Sequence, residues 1–170
     1  DHSHWRIPLS TRIMSDNELY QLAGYRYTQG DQLFSINPET PPVGKYIYGL
    51  SIALANNPYW ASILLIISTS AAFYYLTTKI LKKKSTQLIA LILLVSSPLF
   101  MSQMSQTMLD LPQLFLLILH IIFIIKINNR SHHSPKIIFA ILSGITLSLF
   151  AGTKIAVFVP AIIIADIYWL

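Results

Sequence analysis

Two carboxylates stand two positions apart near the start of this chain, Asp16 and Glu18, within Ser15-Asp16-Asn17-Glu18-Leu19-Tyr20. A carboxylate held within hydrogen-bond reach of a hydroxyl can take its proton. A third acid, Glu39, lies in the turn-rich run Asn37-Pro38-Glu39-Thr40-Pro41-Pro42, and Lys45 follows it closely. Asp110 and Lys154 interrupt apolar stretches. A charge at the middle of a membrane helix costs about 2.5–3.5 kcal/mol on insertion scales, so such residues gather at interfaces or at working sites. Fixed lysines can stabilise negative charge that builds on a departing group.

Each of these residues also has a plainer use. Ser15 or Asp16 suits the N-cap of a helix expected from Asn17 to Gln29. Glu39 suits a solvated turn. Asp110, two residues before Pro112, suits a helix start. Lys154 needs only an aqueous cavity to face. Spacing alone leaves both uses open at each position.

The elements that must position these side chains are membrane spans. Hydrophobic residues make up 54% of the 170 positions and charged ones 11%, against about a quarter charged in soluble domains. Mean hydropathy is +0.55. The expected fold class is all-α, polytopic transmembrane helices behind a long first extracytoplasmic loop. Residues 1–57 form that loop and residues 58–170 the helical region. Spans are expected at about 59–78, 86–103, 110–126, 137–152 and 154–170, each judged against a hydrocarbon core of about 30 Å. Within the loop, Val43, Tyr46, Ile47, Leu50 and Leu54 recur at helical spacing. A short interfacial helix over 43–55 fits them, started by Pro41-Pro42 and stopped by Asn56-Asn57-Pro58. The start of the next span is the equal alternative.

Basic residues set the orientation. Lys79 and Lys82 to Lys84 form one cluster, and Lys126, Arg130 and Lys136 mark another. Two spans separate them, so they share a side, and short basic loops belong in the cytoplasm. The acidic loop, the junction 101–110 and the break at Gly152-Thr153-Lys154 then fall together on the outer face. The expected location is a cell membrane, multi-pass, with residues 1–57 extracytoplasmic (the ER membrane in a eukaryote). The chain begins without Met and ends in the apolar Ile167-Tyr168-Trp169-Leu170. It is expected to be a piece of a longer protein, short of a first span and much of a C-terminal part.

The segment from Asp16 to Lys45 resembles the first outer loop of C-type-fold membrane glycosyltransferases. It is most similar to the protein O-mannosyltransferase and lipid A aminoarabinose transferase group. The matching residues are Asp16, Glu18, Tyr20, Gly30, Pro41, Pro42, Gly44 and Lys45. Leu109-Asp110 and the run Gly144 through Lys154 resemble later family segments. Three departures stand out: Asn17 splits the acidic pair, Thr40 takes the place of a His or Lys before the prolines, and Ala61 and Ser62 stand near where the family often has an Arg after the Asn-Pro turn. The resemblance implies a sugar moved from a polyprenyl-phosphate donor to a hydroxyl on a protein, lipid or glycan. It implies Asp16 as general base, with Glu18 orienting it or the acceptor. Tyr20, Glu39, Lys45, Asp110 and Lys154 are the implied substrate-binding residues. Membrane lipids are expected partners and nucleic acid is not. No cofactor is implied, and divalent metal dependence stays open.

Other features carry less. There is no cysteine, which excludes disulfides and thiolate metal sites. His2 and His4 form a pair without further ligands. His132 and His133 sit in the basic loop, and His120 suits a hydrogen bond to a neighbouring helix. Asp166 suits the inner interface. A transporter or lipid-handling protein without covalent chemistry is the rival class. It would place ionisable groups deep in repeated spans, whereas these acids cluster in a loop.

Overall fold

The computed structural model describes residues 14–128 and 136–155. The expectations for His2, His4, His132, His133, Asp166 and most of the span 154–170 lie outside the described residues. Among the described residues all regular structure is helical.

Helix α1 runs Asp16–Thr28. Its start is a capping box: the Glu18 N–H donates to the Ser15 hydroxyl, and the Glu18 carboxylate accepts from the Ser15 N–H at 3.1 Å. Ser15 is therefore the N-cap, and Asp16 is the first helical residue. Gly30, at φ +92°, turns the chain after α1. A short α2, Leu33–Ile36, leads into the proline-rich turn.

Helix α3, Val43–Ala55, stands apart from the next span, because Asn56 closes it in the left-handed region at φ 52°. The face it buries within the protein is not the apolar stripe. Gly44, Lys45, Tyr48, Gly49 and Ile52 are buried, while Leu50 and Leu54 of the apolar stripe are 52% and 85% exposed. In a bilayer the surrounding lipid is as apolar as Leu, so small residues, not large apolar ones, mark helix contacts. The contact with α1 is a backbone approach. A β-carbon on Gly24 would lie 2.9 Å from the Gly49 nitrogen and against the Lys45 carbonyl. Any side chain at either glycine would force α1 and α3 apart.

Helix α4, Tyr59–Ile80, and helix α7, Asp110–Asn128, are long and apolar enough to cross a membrane. Between them the expected span 86–103 is two pieces. Helix α5 covers Lys84–Val95 and α6 covers Pro98–Ser102. Ser97 takes an extended ψ of 133° and caps α6, with Pro98 in the first turn. Proline disfavours helical backbone at the residue before it, which explains the break. Helix α8, Lys136–Ala151, ends at the turn expected around Gly152.

Helix α4 packs against α3, α5 and α7, and α7 packs against α8. The His120 ring and the Ser143 hydroxyl meet at 2.9 Å across the α7–α8 contact. That is the interhelical hydrogen bond expected for His120. At one end of this bundle Tyr20 and Tyr48 pack with Ala61 and Leu109, which seats α1 and α3 on the spans. At the other end the Lys79 and Lys126 ammonium groups lie 4.9 and 5.6 Å from the Tyr75 ring centre. Lys79 and Lys126, one from each basic cluster, therefore meet at one end of the bundle.

Candidate functional site

The site lies where α1 and α3 meet the ends of α7 and α8. Three polar connections build it. The Asn17 side-chain carbonyl accepts from the Thr107 N–H and can accept from the Thr107 hydroxyl, both at 2.6 Å. The Tyr48 hydroxyl donates to the Met108 carbonyl at 2.7 Å. The Val43 N–H donates to the Gly152 carbonyl at 2.9 Å. Gly44 makes room for this joint, since a β-carbon there would lie 2.7 Å from Leu109 and 2.9 Å from Thr153. The first loop is thus bolted to the residues just before Asp110 and just before Lys154.

Asp110 and Lys154 form an ion pair at 2.8 Å, with side chains 44% and 35% exposed. Among the described residues the pair leaves two of the three ammonium donors of Lys154 available. The buried Gln113 amide holds the Lys154 main-chain carbonyl at 2.8 Å, which fixes where α8 ends against α7. Exposed ion pairs contribute little to stability, so this one is better understood as an arrangement of charge than as a brace.

Tyr20 is the centre of the cluster. Burial, and after it the Asp16 carboxylate, pushes its hydroxyl above the usual tyrosine range; Lys154 and a hydrogen bond with Thr40 pull it back, and Asp110 adds a further upward push. Asp16, Tyr20, Asp110 and Lys154 are therefore electrostatic neighbours. Asp16 is exposed at the first turn of α1, where the positive helix end favours a carboxylate. Among the described residues no hydrogen bond holds its oxygens. Glu18, by contrast, is engaged in the capping box that starts the helix. The two acids have different surroundings although the sequence sets them side by side.

Glu39 is exposed at the rim of a cavity of about 320 Å³, with Tyr27, Leu33, Thr40 and Pro42 among its walls. Lys45 does not point into open space. Its ammonium donates to the Asn37 carbonyl at 2.9 Å, the Asn37 side-chain oxygen at 2.5 Å and the Thr40 carbonyl at 2.6 Å. The residue is 0% exposed. Burial lowers its pKa to about 8, with Glu39 opposing the shift.

Sequence reasoning missed Asn17, Asn37, Thr107 and Gln113, which orient the site, and the buried Gln21, whose amide donates to the Thr107 hydroxyl at 3.2 Å. In the sequence Asn17 marks only a helix start and an interruption between two acids. The pairing of Thr107 with Asn17 leaves no local pattern, because its partners are 90 positions apart.

Among curated proteins and among solved structures, no match was found. The family described as dolichyl-phosphate-mannose-protein mannosyltransferase matches residues 39–170, a range that includes Glu39, Lys45, Asp110 and Lys154 but begins after Asp16, Glu18 and Tyr20. Together with the helical architecture and the two helices able to cross a bilayer among the described residues, this makes the chain a membrane glycosyltransferase, and it belongs to the dolichyl-phosphate-mannose-protein mannosyltransferase family.

Proposed function

We propose that this chain carries the acceptor-activating part of an enzyme that transfers a sugar from a polyprenyl-phosphate donor to a hydroxyl acceptor. The reaction takes place at the extracytoplasmic face of a multi-pass membrane domain. The observation that carries the proposal is the seating of α1 on the spans, Tyr20 against Leu109 and Asn17 against Thr107, which brings Asp16 to the end of the bundle that holds the Asp110–Lys154 pair.

The Asp16 carboxylate takes the proton of the acceptor hydroxyl as its oxygen bonds to the anomeric carbon. The bond from that carbon to the phosphate oxygen breaks, and its electron pair leaves with the polyprenyl phosphate. Lys154 stands where a cation can neutralise that departing charge. Asp110 holds the ammonium in place. One displacement from the face opposite the leaving group inverts the anomeric centre. Glu18 contributes through the start of α1, which fixes the direction of Asp16. The family's description supplies mannose as the sugar and protein as the acceptor. We extend both to this chain as part of the proposal.

The test is Asp16→Asn in the full-length protein. Transfer from a polyprenyl-phosphate sugar should fall by about 10²- to 10⁴-fold, the usual contribution of a positioned base. Expression and membrane insertion should persist. Transfer at the normal rate would remove Asp16 from the mechanism.

A further inference from the structure

Lys45 is the one described lysine that is wholly enclosed, and the displacement written above makes no use of it. Its surroundings explain why it is there. The stem emerges from the face of α3 that touches α1, near the Gly24–Gly49 contact, and its ammonium extends to the turn that precedes α3. There it meets three oxygens of the Asn37–Thr40 turn, and no more donors remain. The Tyr20 and Tyr27 rings flank it, with centres 6.0 and 5.7 Å from the nitrogen. The titratable groups facing it are Tyr20 and Tyr27 from α1 and Glu39 from the turn, with Tyr46 and Tyr48 on its own helix.

The turn in turn touches the site. The Thr40 hydroxyl donates to the Asn37 side chain at 2.9 Å and lies close enough to the Tyr20 hydroxyl to oppose its upward pKa shift. The Tyr27 hydroxyl donates to the Leu33 carbonyl at 3.0 Å and toward the Asn37 carbonyl at 3.4 Å. The proline-rich segment lacks backbone N–H groups at Pro38, Pro41 and Pro42. It cannot tie itself down through its own backbone, and a lysine from the next helix does so instead.

We infer that Lys45 is a positioning residue and not a ligand of the donor phosphate: it clamps the Asn37–Thr40 turn against the Tyr20 ring of α1, and so fixes the wall of the site beside Asp16. The inference deepens the proposed function and rests on it for the meaning of "beside Asp16". The clamp itself stands on geometry alone. A phosphate ligand must be reachable from the membrane surface, whereas Lys45 has no exposed surface.

Two measurements on the full-length protein in membranes decide the matter. In the first, a small amine-acylating reagent is applied to the native wild-type protein and modification is read residue by residue. Lys45 should stay unmodified until the protein is unfolded, while the exposed Lys82 to Lys84 react. Ready modification of native Lys45 would overturn the inference, whether or not the protein is active. In the second, Lys45→Met should lower kcat by about 10- to 100-fold, the usual effect of cutting charged hydrogen bonds, with donor KM changed less than about threefold. Lys45→Arg should not rescue it, because a guanidinium does not fit the enclosed space. Asn37→Ala should share the loss. A rise confined to donor KM, with rescue by Arg, would make Lys45 a phosphate ligand after all. Failure of the base assignment reads differently: Asp16→Asn would transfer normally while Lys45 remained protected.

Discussion

Removing the side chain of Asn17 tests whether the first loop must be locked to the spans. In Asn17→Ala the Thr107 N–H loses its acceptor at a residue with no exposed surface. The Thr107 hydroxyl keeps the Asn17 main-chain carbonyl at 2.9 Å, so its own loss is small. An unsatisfied buried donor costs about 1–3 kcal/mol. Taking about 2 kcal/mol, the balance between locked and unlocked loop shifts about 30-fold, since 1.4 kcal/mol is a factor of about ten. The assay is sugar transfer in membranes containing the full-length variant, normalised to inserted protein. The expected result is a loss approaching about 30-fold at saturating substrates. Asn17→Asp, which keeps two acceptor oxygens, should lose far less. Thr107→Val keeps the N–H bond to the Asn17 side chain but drops the hydroxyl, a loss of about 1 kcal/mol. The double variant Asn17→Ala, Thr107→Val should fall short of the summed losses, as contacting partners do. Full transfer in Asn17→Ala, or strict additivity with Thr107→Val, would refute the claim that this joint places Asp16.

Further outcomes follow from other contacts. Lys154→Met should cut kcat by about 10²-fold or more through loss of charge on the departing phosphate, with Lys154→Arg restoring part of it, in the same transfer assay. Gly49→Ala should destabilise the α1–α3 joint by at least the 1–3 kcal/mol typical of overpacking, read as a lower unfolding temperature in detergent. The matching Gly144→Ala should be nearly silent, because open space surrounds that position. For Lys45, the folded pKa of about 8 lies below the unfolded value of 10.5. Between these values the unfolded chain holds a proton that the folded chain has released, so folding stability rises with pH across that window. The clamp weakens over the same range, since a neutral amine has two N–H donors for three oxygens. Transfer should therefore fall above about pH 8 without a matching fall in unfolding temperature, and Lys45→Met should lose this limb of the profile.

Much of this architecture was legible because it rests on local rules. Ser15 and Glu18, three apart, mark a capping box, and the helix after them follows. Asn56-Asn57-Pro58 and Gly152-Thr153 stop helices through their backbone preferences. The meeting of Asp110 with Lys154 follows from counting spans between basic clusters. Hydropathy was less informative. It passed over Ser97-Pro98, since proline is apolar enough to blend into a span while still breaking the helix. The stripe Val43 to Leu54 marks the helix but not its contacts with other helices, because lipid rewards exposed leucine. The fate of Lys45 depends on two glycines 25 positions apart letting helices touch, which no spacing rule reports. Asn17 and Thr107 are likewise joined by the tertiary fold alone.

The central claim is that the acidic loop and the ends of α7 and α8 share the extracytoplasmic face. Because the chain has no cysteine, single substitutions report on sidedness directly. Asp31→Cys, Gln106→Cys and Lys83→Cys, each in a full-length background without other cysteines, should be probed in sealed vesicles of known orientation with a membrane-impermeant thiol reagent. Positions 31 and 106 should react from the extracytoplasmic side, and position 83 only from the cytoplasmic side. Reaction of position 31 from the cytoplasm, or of positions 31 and 106 from opposite sides, would contradict the account.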